Sequence, residues 1–146
     1  MQLYRQLRRV NVNRLRQDEQ AWAVRLKHEG AEDAGGPYRE SIALLSGDLQ
    51  SSRVSLFLPC PNTRDGNGEN RDTWIPNPQA TSEDELQQFK FLGMVMGLAL
   101  FSKSSVELNL PPFVWKRLVG SDVTEADIEA FDTHFVKTTL KTLRGN

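Results

Sequence analysis

The fold of this chain is decided by one stretch, which reads Phe89-Lys90-Phe91-Leu92-Gly93-Met94-Val95-Met96-Gly97-Leu98-Ala99-Leu100. The apolar run from Phe91 to Phe101 is 11 residues long, whereas a membrane span needs about 20, so the run predicts a buried helix. Upstream, Ser82 and Glu85 have the spacing of a capping box. The helix is therefore expected to run from Ser82 to about Phe101.

The second half of this helix is apolar nearly all round, which predicts a position at the centre of a core. Gly93 and Gly97 lie four residues apart and therefore on one side of the helix. Without side chains there, another backbone can approach closely, although both glycines lower the helix propensity.

Composition and charge exclude some functions. The chain has 146 residues, of which 38% are hydrophobic and 25% charged, which suits one globular domain or a piece of one. Its net charge is -1, so no overall electrostatic attraction favours nucleic acid or an anionic membrane. The one cysteine, Cys60, cannot form an intramolecular disulfide, which predicts an intracellular, cytoplasmic protein. Three arginines near the N-terminus leave no apolar run there, so the N-terminus does not have the pattern of a signal peptide.

The first third of the chain predicts a helix, a strand and a second helix. Gln2 to about Gln20 has the pattern of an amphipathic helix with a basic face. Trp22 to His28 alternates apolar and basic residues as a strand does, and a glycine-rich loop follows. A helix from about Pro37 to Leu49 is indicated by an apolar stripe with spacings of 4, 3 and 4, formed by Tyr38, Ile42, Leu45 and Leu49.

The remainder predicts a β-hairpin followed by helices. Ser55 to Leu58 and Thr73 to Pro76 are the expected strands, joined by an exposed polar loop from Asn62 to Asp72. Helices are expected after Pro111, after Thr124 and from Thr133 to about Leu143, the last with Asp132 as its N-cap and with Phe135, Val136 and Leu140 buried. The predicted class is therefore α+β and helix-dominant.

Cys60 is the one thiol that nucleophilic catalysis would need. It lies between Pro59 and Pro61, and these prolines argue against a helix N-terminus beside it that would lower its pKa. The cation closest in sequence, Arg64, falls in a loop expected to be mobile. Cys60 is therefore predicted not to be catalytic.

No metal or cofactor site is predicted. His28 and His134 are far apart in sequence and lack further ligands at metal spacing. The stretch from Asp65 to Asn70 resembles the start of a calcium loop, but Asn70 and Pro76 occupy the positions that require Gly and Glu. The glycines from Gly30 to Gly36 lack the spacing of a phosphate-binding loop.

Three segments of the chain resemble the N-lobe of HECT domains. The first is Gly30-Ala31-Glu32-Asp33-Ala34-Gly35-Gly36-Pro37-Tyr38-Arg39-Glu40, similar to a strand-turn-helix motif of the family. The second is the apolar helix quoted above, similar to the pattern F-x-F-x-G-x-x-x-G-x-A. The third runs from Leu110 to Leu118 and on through Val123 to Asp132, similar to a helix and the step T-x-x-D-L-x-x-x-D. The likeness is closer to the large HECT proteins.

This resemblance implies that the parent protein is a HECT-type ubiquitin-protein ligase. In that family, ubiquitin passes from the thioester of a conjugating enzyme to a cysteine in a C-terminal lobe of the ligase, and then to a substrate lysine. The likeness covers about residues 22 to 143 and includes neither that lobe nor the sub-lobe that binds the conjugating enzyme. It implies a scaffold that is inactive alone. The implied partners are ubiquitin, a conjugating enzyme, a substrate and, in cis, the remaining sub-lobes, but neither nucleic acid nor membrane.

The resemblance also implies a domain division and a set of site residues. Residues 1–20 would be a basic amphipathic helix, and residues 21–146 a partial N-lobe. The hairpin contributes to a ubiquitin-binding exosite in some members, which here would comprise Leu58, Thr73, Trp74 and Ile75. The alternative for these residues is a structural edge strand. A structural motif would comprise Asp33, Gly35, Gly36, Gly93 and Gly97.

Two other functions stay open. One is a non-catalytic protein-interaction domain with N-lobe architecture, which would be a stable monomer with a cooperative melt. The other is a nucleic-acid binder acting through the N-terminal arginines, whose affinity would depend on salt.

Overall fold

The structure is a computed structural model that describes residues 2–15, 20–25 and 35–145. The chain divides into two compact units, each made of two segments. Unit 1 comprises Met1–Leu56 and Pro78–Glu107, and unit 2 comprises Phe57–Asn77 and Leu108–Asn146. The predicted domain division between residues 20 and 21 stays a prediction.

Helices dominate the described residues. In chain order the elements are α1 (Gln2–Leu7), α2 (Val12–Leu15), α3 (Gly36–Leu49), β1 (Phe57–Pro59), α4 (Pro61–Asp65), β2 (Trp74–Pro76), α5 (Glu83–Ser102), α6 (Pro112–Leu118), α7 (Glu125–Glu129), a π-helical segment (Phe135–Leu140) and α8 (Lys141–Arg144). Within this part of the chain the two strands form one antiparallel sheet. The predicted helix-dominant α+β class is confirmed.

Helix α3 of unit 1 buries the stripe that its sequence predicts. Gly35 precedes the helix with a φ of 98°, a left-handed conformation that glycine adopts without strain. Pro37 lies in the first turn, where its missing N–H costs no hydrogen bond. The core-facing side chains are each at most 4% exposed and include Tyr38, Ile42, Leu45 and Leu49.

Helix α5 of unit 1 begins as predicted, at a complete capping box. Ser82 Oγ accepts a hydrogen bond from Glu85 N, and Ser82 N donates to Glu85 Oε2 at 2.9 Å. The hydroxyl of Ser82, and then its backbone N–H, lower the pKa of the Glu85 carboxyl because they donate to its charged form. The helix ends at Ser102, and Lys103 follows with a left-handed φ of 53°.

The second half of α5 is only partly buried, which corrects the prediction that it lies at the centre of a core. Leu100 is 84% exposed and Phe101 is 63% exposed. A Cβ added at Gly93 or Gly97 would meet no described atom within 4 Å, so no described backbone approaches these glycines closely. The α-helical period points some side chains away from a one-sided core, whatever their hydrophobicity. The buried residues are Phe91, Leu92, Val95, Leu98 and Ala99.

The N-terminal segment of unit 1 also differs from its predicted form. In place of one helix from Gln2 to about Gln20, the described residues form the short helices α1 and α2, and residues 16–19 lie outside the description. Residues 22–25 are not a strand, while residues 26–28 are not described. Instead, the Trp22 ring packs 4.9 Å from the Tyr38 ring, and its Nε1 donates to Ser41 Oγ at 3.0 Å. The described contacts of Trp22 therefore attach it to α3.

The predicted hairpin is present in unit 2. Strands β1 and β2 pair antiparallel with Leu58 opposite Ile75 and Pro59 opposite Trp74. The N–H of Trp74 donates to Asn109 O at 2.7 Å. The segment that precedes α6 is therefore bonded to β2.

The C-terminal helices of unit 2 begin at the expected signals. Pro111 is the N-cap of α6, and Thr124 and Asp127 form a capping box at α7. Asp132 Oδ1 accepts from Phe135 N at 3.0 Å, which confirms it as a cap.

The last predicted helix contains a π-helical segment. Val136 is buried as expected, but Phe135 is 37% exposed, which corrects its predicted burial, and Leu140 is half-buried. The wider π-helical turn changes the angular spacing of these side chains, so a stripe counted on the α-helical period does not fit them.

Candidate functional site

The four residues predicted to form an exosite lie together in the hairpin, but they do not share one surface. Leu58 and Ile75 are direct cross-strand partners, so their side chains lie on the same face of the sheet. Leu58 is 41% exposed and Ile75 is half-buried. Trp74 faces the other side because side chains alternate along a strand. Of the four, Leu58 and Ile75 therefore form the accessible apolar pair.

Thr73 belongs to the interior of unit 2. Its side chain is buried, and its Oγ1 donates to Asn70 O at 2.7 Å. Its carbonyl accepts from Cys60 N at 3.0 Å. These bonds close the base of the hairpin loop, so Thr73 supports the hairpin from within.

Cys60 lies inside unit 2 at the end of β1. Its side chain is 0% exposed, and Sγ donates to Asn70 O at 3.2 Å and lies 3.3 Å from Thr63 Oγ1. A nucleophilic thiolate must be accessible to its reactant, and the surrounding atoms prevent that access here.

The prediction that the flanking prolines prevent a helix start beside Cys60 was wrong. Cys60 is the N-cap residue of α4, and Pro61 occupies the first turn of that helix. The fixed φ of proline suits this position, and the N–H that it lacks has no intrahelical partner there in any case.

The loop between β1 and β2 is tied at its base through Asn62, a residue that sequence analysis missed. Asn62 is 2% exposed. Its Nδ2 donates to Glu69 O at 2.9 Å and to Ala130 O at 3.3 Å, and its Oδ1 accepts from Thr133 N at 2.9 Å. Residues 63–69 are exposed as predicted, but their base is fixed to the turn after α7.

Gly68 fits beside Asn62 because it has no side chain. Its φ is +82°, and an added Cβ would lie 2.5 Å from Asn62 Nδ2 and closer still to Thr133 Oγ1. Asn70 Nδ2 adds a bond of 3.0 Å to Ala130 O. The density of Asn and Gly in this loop predicts turns. It does not indicate that the loop is hydrogen-bonded to residues 130–133.

The predicted structural motif is only partly supported by close approaches. At Gly35, an added Cβ would lie 3.2 Å from Gln20 Nε2. At Gly36, Gly93 and Gly97, no described atom lies within 4 Å of that position. Asp33 lies outside the described residues.

Asp127 links α6 to the start of α7. Its Oδ2 accepts from Lys116 Nζ at 2.7 Å and from Thr124 N and Oγ1 at 2.8 Å each. The bond from Lys116, and then those from Thr124, lower the pKa of this carboxyl to about 2. All these donors stabilise the charged form, so the cluster acts as a helix cap.

The described residues contain neither a metal-binding cluster nor a membrane-spanning helix. They contain no group of three or more His, Cys, Asp and Glu side chains that could hold a metal ion. His134 is exposed, and His28 is not described. Across the same ranges, no helix has the length and apolar character needed to cross a membrane.

Comparison with protein families yields a match to the HECT-domain (ubiquitin-transferase) model over residues 43–146. The matched range includes the apolar helix and the segment from Leu110 to Asp132. The first segment that resembles the family, Gly30 to Glu40, precedes it.

Similar proteins point the same way. The chain is 38% identical to the E3 ubiquitin-protein ligase HERC2 of Mus musculus over 115 residues, which are 79% of this chain. It is 32% identical to the E3 ubiquitin-protein ligase TOM1-like of Neurospora crassa and 30% identical to the E3 ubiquitin-protein ligase TOM1 of Saccharomyces cerevisiae, each over 84% of this chain. The aligned region is 2%, 3% and 4% of the length of these three relatives, in the same order.

The chain therefore belongs to the HECT-domain family, because the family model matches residues 43–146, well over half of its length.

Proposed function

We propose that the protein to which this chain belongs is a HECT-type ubiquitin-protein ligase, which carries ubiquitin as a thioester before passing it to a substrate. The match to the HECT-domain model carries this proposal, and relatives named as E3 ubiquitin-protein ligases support it. Its partners are then ubiquitin, a ubiquitin-conjugating enzyme, a protein substrate and the remaining HECT sub-lobes in cis. The single cysteine of this chain cannot form a disulfide within it, which supports an intracellular, cytoplasmic location for the protein.

Within that ligase, this chain is a scaffold and is inactive alone. Cys60 is its one cysteine, and the buried thiol cannot reach the thioester of a conjugating enzyme. Large exposed apolar side chains such as Leu100 and Phe101 support a role in which other protein elements attach to this chain.

The test is a ubiquitin-charging reaction with activating enzyme, conjugating enzyme, ubiquitin and this chain, run on a non-reducing gel. We expect the conjugating enzyme to be charged, which is the internal control, and this chain to form no adduct that dithiothreitol removes. An adduct that disappears in Cys60→Ser would contradict the inactivity of the chain.

A second arm tests the ligase assignment itself. The chain is extended to a full HECT domain and charged in the same way, and a thiol-sensitive ubiquitin adduct is expected. If the extended protein folds but forms none, the ligase proposal is wrong and a non-catalytic interaction domain with N-lobe architecture is the better assignment.

We also propose that the hairpin face around Leu58 and Ile75 binds ubiquitin, with Trp74 and Thr73 holding the strands that present it. The exposure of Leu58 and its pairing with Ile75 support this.

Titration of ¹⁵N-labelled ubiquitin with the chain should shift amide signals, and Leu58→Lys should abolish the shifts. Leu118→Lys is the matched control, because Leu118 is also exposed and lies in unit 2. Equal loss in both variants would overturn the assignment.

A further inference from the structure

A cavity of about 380 Å³ lies in unit 1 between α1 with its C-terminal turn and the middle of α5. Its size falls in the range of known ligand pockets. Leu7, Phe91 and Met94 supply apolar lining, and the cations around it are Arg8, Arg9 and Lys90. None of its lining residues is acidic.

Two carboxylates border this cavity, because Asp84 accepts from the hydroxyl of Tyr4 and Glu83 accepts from Gln87 Nε2, so the charge that stays uncompensated is that of Arg9 and Lys90. Residues 2–15 contain four arginines and no acidic residue. Arg8 has one ion pair, a contact of 4.0 Å between its Nη1 and Asp84 Oδ1. Within the described part of the chain, Arg9 and Lys90 form no ion pair. An anion with several carboxylates would therefore gain new contacts here without displacing strong existing ones.

The apolar lining is firmly positioned. Phe91 is 4% exposed, and its ring lies 5.6 Å from the ring of Tyr4 in an edge-to-face arrangement. Tyr4 OH donates to Asp84 Oδ1 at 3.0 Å, which fixes the tyrosine on α5. These buried rings support the half-buried side chains of Leu7 and Met94. An apolar surface of this kind with cations at its rim is suited to an apolar side chain flanked by carboxylates.

We propose that this cavity binds a short acidic peptide segment of a partner protein, with one apolar side chain against Leu7 and Met94 and its carboxylates near Arg8, Arg9 and Lys90. A peptide suits the cavity better than a long polyanion, because the cationic cluster is local and the whole chain has a net charge of -1. This site lies in unit 1, whereas the proposed ubiquitin surface lies in unit 2.

The test is fluorescence anisotropy with the full 146-residue chain and the fluorescein-labelled peptide EEDLEDE. We expect saturable binding that weakens as salt is raised, because the rim contacts are screened. The peptide QQNLQNQ removes the charge and EEDSEDE removes the apolar side chain, and each is expected to bind at least about tenfold more weakly.

Protein variants locate the binding. The double variant Arg9→Gln with Lys90→Gln should weaken EEDLEDE binding by about tenfold or more. Arg53→Gln with Arg117→Gln is the control, because it removes the same charge from exposed arginines outside the cavity, and its affinity should be unchanged. Circular dichroism of both double variants checks that they are folded. Should the double variant unfold, Met94→Glu tests the same site by placing a repelling charge at its base.

Several outcomes would overturn the proposal. Equal affinity of the two double variants would show a nonspecific charge effect. Equal affinity for EEDSEDE would show that the apolar contact with Leu7 and Met94 plays no part in binding. Displacement of the peptide by single-stranded oligo-dT at lower concentration than by unlabelled peptide would assign the surface to nucleic acid instead.

Discussion

The loop between β1 and β2 and the second half of α5 are anchored in opposite ways. The loop is polar, yet its base is held by Asn62 and Asn70 through hydrogen bonds to residues 130–133. The helix half is strongly apolar, yet it is held on one side, and Leu100 and Phe101 extend into solvent. How strongly each segment is held therefore depends on the contacts that its individual side chains make, and not on whether the segment is polar or apolar.

The energetic consequence follows from burial. Removing a buried side chain that makes several hydrogen bonds leaves its partners unsatisfied, at about 1–3 kcal/mol each. Removing an exposed apolar side chain changes stability by about 0.5 kcal/mol or less. Substitutions at the buried base of the polar loop should thus be far more damaging than substitutions at the exposed positions of the apolar helix.

The largest effect is expected for Gly68→Ala. The left-handed φ costs a non-glycine residue about 1–2 kcal/mol, and the overlap with Asn62 and Thr133 adds about 1–3 kcal/mol. We expect a loss of about 4 kcal/mol in the free energy of unfolding, measured by urea denaturation followed by circular dichroism.

Gly66→Ala is its matched control. Gly66 also has a positive φ, of +64°, but no described atom lies within 4 Å of an added Cβ. Only the backbone cost of about 1–2 kcal/mol should appear. Similar losses at Gly66 and Gly68 would show that the close approach to Asn62 is absent.

Asn62→Ala should be next, with a loss of about 3 kcal/mol, because Glu69 O and Thr133 N lose their partner in a buried site. Asn67→Ala provides the comparison, since exposed Asn67 accepts one bond, from Gly68 N at 2.8 Å. A loss below about 1 kcal/mol for Asn62→Ala in urea denaturation would mean that the loop is not tied to residues 130–133.

Acid should weaken the attachment of the loop between β1 and β2, because protonation of Asp127 weakens the cap of α7. That helix leads directly to the Ala130 carbonyl, to which the loop is bonded. The pKa of Asp127 is about 2, below the ordinary 3.8. The stabilisation by its charged form is therefore complete above that ordinary value and lost as pH falls toward 2. In thermal melts, Asp127→Asn should show a smaller fall in Tm across this window than the unmodified chain. Exposed Asp72→Asn should retain the full fall, and identical pH profiles for all three proteins would contradict the expectation.

The smallest effect is expected for Leu100→Ser, within about 0.5 kcal/mol of the unmodified chain, because Leu100 is 84% exposed. Leu98→Ala, two residues earlier and 3% exposed, should cost about 3 kcal/mol in the same helix. Urea denaturation of both variants measures the contrast. If Leu100→Ser proved as damaging as Leu98→Ala, Leu100 would have to be buried in solution.

Local signals in the sequence predicted many of the helices and strands, but not which side chains of the hairpin are accessible and not the basic cavity. Ser82 with Glu85 predicted the start of α5, and the stripe from Tyr38 to Leu49 predicted the buried face of α3. The predicted hairpin is present and pairs Leu58 with Ile75, whereas the exosite stays a prediction. No local pattern indicated that Thr73 is buried and bonded to Asn70 and Cys60. The basic cavity joins α1 to α5 across about 80 residues of chain, and no periodicity within either segment indicates that contact.

The sequence by itself determined the capped helices, the hairpin, the resemblance to HECT domains and the presence of one thiol, because caps, turns and periodic stripes act over a few neighbouring residues. Tertiary structure alone decided that Cys60 is enclosed, that Asn62 anchors its loop and that Leu100 is exposed while Leu98 is buried. These outcomes depend on atoms contributed by segments distant in sequence. A hydrogen-bond partner or a packed neighbour of that kind leaves no local pattern in the residues it contacts.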